Sequence, residues 1–193
     1  MFDFNKINDR IKKEKTKRYG ISLVDMQFIS KIECFEKLID LLRRKYFIKV
    51  SENPHVTLFR CKSLSDSINV TCEINNIFEE LVSNLNSVTL IFDTLSLDDD
   101  GVIRVRHKSN ICTKKKENCS GLEFTLVQEP WITLGRVWDV SNLENNFADL
   151  SEIIRGYDVS DYVYKPSEVE MVLFRDILFE DITTIKKYRI DGR

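Results

Sequence analysis

The sequence predicts an α+β fold made of two similarly built lobes, and three observations carry that reading. Apolar residues recur at helical spacing in three stretches, short β-type runs lie between them, and one short stretch occurs twice. No Gly/Ser-rich linker divides the chain, so strands interleaved with helices argue for one unit. The composition agrees: 193 residues, 42% hydrophobic and 31% charged, with 6 Gly and 3 Pro, suit a chain that buries a core. Collagen-like, coiled-coil and disordered classes are excluded.

Segment 6–18, KINDRIKKEKTKR, reads as a solvated basic helix, and residues 1–19 as a basic extension to a domain spanning 20–193. Ile21 to Val24 is a short β-type run. Phe28, Ile32, Phe35, Ile39 and Leu42 then form one stripe of an amphipathic helix. Phe47 to Val50 and His55 to Arg60 read as strands around the turn Ser51-Glu52-Asn53-Pro54. Val70, Ile74, Ile77, Leu81 and Leu85 make a second helical stripe, ended by 84–87. Val88 to Leu95 and Val102 to His107 form a hairpin about Asp98-Asp99-Asp100-Gly101. Segment 108–124 begins as a polar loop rich in lysine. Leu122 to Val127 and Trp131 to Trp138 are strand-like, broken at Gln128-Glu129-Pro130. Leu143, Phe147, Leu150 and Ile154 mark a third helix with Ser141 as its expected N-cap, and Val169 to Phe174 and Thr184 to Ile190 close the chain as strands.

The net charge of −2 hides an asymmetry. Residues 1–60 carry 14 Lys and Arg against 8 Asp and Glu, whereas residues 61–193 carry 15 against 23. That excludes a uniformly basic nucleic-acid coat, so no double-stranded DNA partner is expected, while a local basic patch near the N-terminus still favours a phosphate-bearing ligand. Five cysteines, an odd number without a C-x-x-C pair, suit reduced thiols in a cytoplasm better than a disulfide framework. With two histidines in the chain, no metal site and no cofactor are expected. No apolar run approaches the roughly 18 residues of a membrane span, and the start lacks the apolar core of a secretory signal. A cytoplasmic protein with no membrane partner is the expectation.

The self-match carries the most information. Residues 50–61, VSENPHVTLFRC, align with residues 127–137, VQEPWITLGRV, with one gap at Asn53. Val50/Val127, Glu52/Glu129, Pro54/Pro130, Thr57/Thr133, Leu58/Leu134 and Arg60/Arg136 are identical, and Val56/Ile132 is a β-branched exchange. Strict alternation along a strand puts His55, Thr57 and Phe59 on one face, matched by Trp131, Thr133 and Gly135. If the copies lie side by side about a pseudo-two-fold axis, His55 and Trp131 face each other across a cleft with the two threonine hydroxyls beneath. The same parity sends Arg60 and Arg136 to the opposite face, out of the site, unless a bulge intervenes.

The segments PHVTL at 54–58 and PWITLGRV at 130–137, about 75 residues apart, resemble the paired H-x-T/S-x motifs of the two-histidine phosphoesterase superfamily, which contains the RNA-ligase-like 2′,3′-cyclic nucleotide phosphodiesterases. The resemblance extends in element order over residues 20–190, including the closing run 168–190. It implies a bilobal fold in which antiparallel sheets line a central cleft and helices lie outside. It further implies that two histidines and two hydroxyls surround a nucleotide or RNA-end phosphate without a metal: one histidine activates a water or ribose hydroxyl, the other protonates the leaving oxygen, and the hydroxyls hold the nonbridging oxygens. Carried over residue by residue, His55 and Thr57 form the first pair and Thr133 is the second hydroxyl.

Trp131 stands where the second histidine belongs. An indole N–H donates but cannot accept a proton, so it performs neither half of acid–base catalysis, and one such partner is typically worth about 10²–10⁴ in rate. Trp131 reads either as an aromatic plug or as a platform on which a nucleobase stacks, with Phe59 beside it as a further substrate contact. His107, at the end of its strand, is the sole alternative histidine, and Lys114 to Lys116 form either a solvated loop or a cationic flap. Segment 108–124 also lacks the helix that the superfamily places there. Two functions follow: a phosphodiesterase weakened by the loss of one histidine, or a catalytically inactive module that binds a nucleotide or a protein partner through the old cleft.

Overall fold

The computed structural model describes residues 4–16, 20–25, 33–46, 48–63, 72–83, 85, 89–108, 122–126, 131–160, 162–176 and 178–190. Among them are four helices, α1 (Phe4–Glu14), α2 (Glu33–Tyr46), α3 (Cys72–Ser83) and α4 (Val140–Gly156). The strands are β1 (Gly20–Asp25), β2 (Lys49–Val50), β3 (Val56–Ser63), β4 (Leu90–Leu97), β5 (Val102–Lys108), β6 (Leu122–Leu126), β7 (Trp131–Arg136), β8 (Val163–Tyr164), β9 (Glu168–Phe174) and β10 (Ile182–Arg189). They make one sheet in the order β10-β9-β1-β3-β7-β5-β4-β8, with β6 also on β3 and β2 also on β7. Every pairing is antiparallel.

The helical stripes do what their spacing requires. In α2, Phe35, Leu38, Leu42 and Tyr46 are buried; in α3, Ile74, Ile77, Phe78 and Leu81; in α4, Leu143, Leu150 and Ile154. Phe35 meets Phe92 of β4 edge to face at 5.5 Å, and Phe78 meets Phe59 of β3 in the same way at 5.3 Å. One face of the sheet therefore supports the main core. A second, smaller cluster of Val172, Phe174 and Phe179 lies apart from it. Along β9, Val169 and Met171 belong to the main core while Val172 and Phe174 belong to the small cluster, so the latter sits on the opposite face.

Two expectations need correction, and one element was not foreseen. The N-cap of α4 is Asp139, whose carboxylate accepts from the Ser141 backbone N–H, so the cap lies two residues before Ser141. The basic segment at the N-terminus is not a solvated appendage: Ile7 and Ile11 of α1 join the core, and only the other side of that helix carries its lysines to solvent. The spacing of four between those isoleucines is what an amphipathic helix needs, and the high charge around them obscured it. Strand β8 had no counterpart in the sequence reading, since two residues show no period. The proposed helix residues 28–32 and the lysine loop at 109–121 lie outside the described residues.

The two central strands carry the duplication. β3 and β7 meet at a single pair, Val56↔Ile132, which are equivalent residues of the two copies. Around that pair the neighbours exchange reciprocally. β2, at the start of the first copy, pairs with β7, and β6, just before the second, pairs with β3. Val50, four before Pro54, sits opposite Gly135, five after Pro130; Leu126, four before Pro130, sits opposite Phe59, five after Pro54. A local two-fold relation therefore passes between Val56 and Ile132. At Gly135 a Cβ would come within 2.8 Å of the Ile48 side chain and 3.3 Å of the Lys49 carbonyl oxygen. The close approach of β2 explains glycine where the first copy has phenylalanine.

Candidate functional site

The Val56↔Ile132 pair sets which side chains share the open face. Its two members are buried, so the residues flanking them in each strand point the other way. The antiparallel register puts His55 across from Thr133 and Thr57 across from Trp131, four side chains on one patch about the local axis. His55 and Trp131 thus stand diagonally, each opposite the other copy's threonine. Both threonines and His55 are half-buried, while Trp131 is 38% exposed.

A bulge in the pairing of each copy decides what else joins them. β1 pairs Val24 with Thr57 and then Leu23 with Phe59, passing over Leu58; β5 pairs Arg104 with Thr133 and then Ile103 with Gly135, passing over Leu134. The extra residue in each copy reverses the parity of everything after it. Burial follows in step: Leu58, Phe59 and Cys61 are buried and Arg60 is not fully so; Leu134, Gly135 and Val137 are buried and Arg136 is not fully so. Arg60 and Arg136 therefore share the face of Thr57 and Thr133, and the exclusion based on strict alternation is corrected. Phe59 moves the opposite way. It is 1% exposed and packs on Phe78 of α3, so it is a core residue and not a substrate contact. The signal was present in both copies: Thr57 and Arg60 are three apart, a spacing of polar residues that a period of two does not allow.

Arg60 is the least compensated charge on this face. Its Nε is buried without a hydrogen-bond partner, and no carboxylate among the described residues pairs with it. Its guanidinium lies over the rings of Phe174 and Phe179, 5.2 and 5.6 Å from their centroids. Burial, with the nearby Arg136 charge, pushes Arg60 down to about 10, which leaves it charged at neutral pH. Gly20, opposite Phe174 in β1, makes room for this arrangement, since a Cβ there would fall 2.4 Å from the Phe174 ring.

His55 is held by neighbours that no motif announced. Its Nδ1 lies 2.6 Å from the Asn53 carbonyl oxygen, which can only accept, so Nδ1 carries the proton and Nε2 keeps its lone pair. The Asn53 side-chain amide donates to the Phe179 carbonyl at 3.0 Å, and the Phe179 ring lies 4.1 Å from the imidazole. Phe179 has φ 58°, a left-handed conformation uncommon for a bulky residue. Asp176 secures that loop by accepting from the backbone N–H groups of Leu178, Glu180 and Asp181. Burial lowers His55 from 6.5 to about 4, with the Arg60 and Arg136 charges adding to the effect against the Asn53 hydrogen bond.

His107 does not reach this face. Arg106 is the residue paired with Trp131, so His107 points to the other side, where it sits across from buried Phe92. Burial lowers it to about 4 as well. A measurable consequence follows for both histidines. Their folded values lie below the unfolded value, so their contribution to stability is intact above pH 6.5 and is lost as pH falls toward 4, because the unfolded chain takes up protons first. Denaturant titrations should show the loss between those pH values, on the order of 3 kcal/mol per histidine at most. In NMR, neither imidazole should titrate between pH 8 and pH 5.5.

Around the second copy the charges form a network of pairs instead. Arg104 lies over the Trp131 ring at 5.2 Å and forks onto Asp98 at 2.5 Å and Asp100 at 2.9 Å. Arg106 reaches Asp98 at 3.0 Å. Arg136 meets Glu14 of α1 at 3.1 Å, and Glu14 also accepts from Arg10, whose guanidinium further donates to the backbone carbonyls of Asp100 and Val137. Arg60, Arg136, Phe179 and Glu14 are thus the site neighbours that sequence reasoning missed. Among the described residues no group of three or more His, Cys, Asp or Glu could hold a metal ion, and neither Cys61 nor Cys72 is joined in a disulfide. No described helix is long and apolar enough to cross a membrane. No protein-family model matches the chain, and no curated protein matches it.

Proposed function

We propose that the face built by His55, Thr57, Arg60, Trp131, Thr133 and Arg136 binds the phosphate of a nucleotide or RNA phosphodiester, in a cleft of the two-histidine phosphoesterase kind, with catalysis weakened by the loss of the second histidine. The observation that supports this reading most is the pair of equivalent threonines and arginines brought to one face about the β3–β7 contact, with the Arg60 guanidinium lacking any acidic partner among the described residues. Hydroxyls and a guanidinium are donors suited to nonbridging phosphate oxygens. Trp131, with Arg104 over its ring and more than a third of its surface exposed, is a side chain on which a nucleobase can stack.

The chemistry supports binding more than rapid turnover. His55 Nε2 can accept a proton, yet a group with a pKa near 4 is a weak base at neutral pH, and Trp131 supplies no acid for the leaving oxygen. Incubation with 2′,3′-cyclic nucleotides and short oligoribonucleotides in EDTA, beside His55→Ala, tests the proposal. The expected result is ligand-dependent thermal stabilisation with slow hydrolysis that disappears in the variant. No stabilisation and no hydrolysis would reject it. Trp131→His returns an imidazole opposite Thr57 and should raise turnover by tenfold or more, the ceiling being the roughly 10²–10⁴ that one well-placed acid–base group contributes.

A further inference from the structure

The two lobes present equivalent arginines under unequal conditions. Arg60 has no carboxylate among the described residues, whereas Arg136 is held by Glu14, which comes from a helix outside the duplicated part of the chain. The contact is well shielded: the Arg136 and Glu14 side chains are 15% and 7% exposed. A pair so placed is screened little by salt. Arg136 shares the face of Thr133, and the Glu14 carboxylate lies 3.1 Å from its Nε. Arg104 and Arg106 are committed to Asp98 and Asp100, and Arg10 to Glu14 and two backbone carbonyls.

We infer that Glu14 is a specificity-determining residue that makes the cleft select singly charged phosphate esters over doubly charged ones. Among the described residues of this face one guanidinium, that of Arg60, is left to meet a negative charge. A diester or cyclic phosphate brings one. A terminal phosphomonoester brings a second charge, for which the equivalent arginine is already occupied, and sets it beside a fixed carboxylate. Discrimination of this kind comes from the repulsive element as much as from the attractive one. The inference rests on the phosphate-binding reading of the site.

The test compares 2′,3′-cyclic AMP with 3′-AMP at pH 8, where the monoester is a dianion because its second ionisation lies near 6. Affinities are measured by calorimetry for the wild-type protein and Glu14→Gln, which keeps the shape and removes the charge. The wild type should prefer the cyclic ester by at least about fivefold. In E14Q the affinity for 3′-AMP should rise about tenfold, while that for the cyclic ester changes by less than about threefold. Equal affinities in the wild type, or a ratio unchanged by E14Q, overturn the role of Glu14 and leave the phosphate site standing. Binding of neither ligand to either protein overturns the phosphate site itself and this inference with it. The wild-type ratio decides the matter if E14Q does not fold.

Discussion

Replacing Arg60 with methionine is expected to make the protein more stable and its phosphate ligand weaker. The guanidinium is largely withdrawn from water, its Nε has no partner, and no described carboxylate offsets its charge, a combination that costs folding free energy. Methionine keeps an unbranched chain against the rings of Phe174 and Phe179. The melting temperature should rise by about 2–4 °C for each kcal/mol recovered. Hydrogen bonds to charged groups contribute about 1.5–3 kcal/mol each, so affinity for 2′,3′-cyclic AMP should fall roughly ten- to hundredfold. Thermal melts and calorimetry on the same preparation read both effects. A variant that melts lower and binds as before would make Arg60 a structural cation and remove the principal support for the phosphate site.

Phe59→Ala should do the reverse. Phe59 is fully enclosed between β3 and α3, where its ring meets Phe78, and truncating such a side chain typically costs about 3–5 kcal/mol. At about 2–4 °C per kcal/mol, the melting temperature should drop by roughly 6–20 °C. Ligand affinity measured well below the transition should change little, since the residue points away from Thr57 and Arg60. A loss of affinity at unchanged stability would restore Phe59 to the cleft and reject the bulge at Leu58.

These opposed outcomes turn on a single residue inserted in each strand, and that residue shows where local patterns stop being sufficient. His55, Thr57, Trp131 and Thr133 fall on one face as alternation from the proline requires, because side-chain direction over three or four residues depends only on the extended backbone. Beyond Thr57 and Thr133 the same rule fails in both copies. The bulge is a property of the pairing with β1 and β5, strands that lie some 30 residues away in the chain. Its trace in VTLFRC and ITLGRV is two consecutive nonpolar positions between a threonine and an arginine. Alternation alone assigned one arginine and one phenylalanine in the first copy to the wrong sides.

The remaining neighbours left less trace. Phe179 reaches His55 from the loop after β9, and Glu14 reaches Arg136 from a helix more than a hundred residues away in sequence. Neither stands in a motif. Residue order, repeat and period were enough to establish an α+β chain with a duplicated strand and a threonine in each copy, because those features arise from contacts within a few residues. Which charges are neutralised, and by what, required the folded molecule: an ion pair or a ring contact depends on distances between segments, and chain order does not encode those distances one residue at a time.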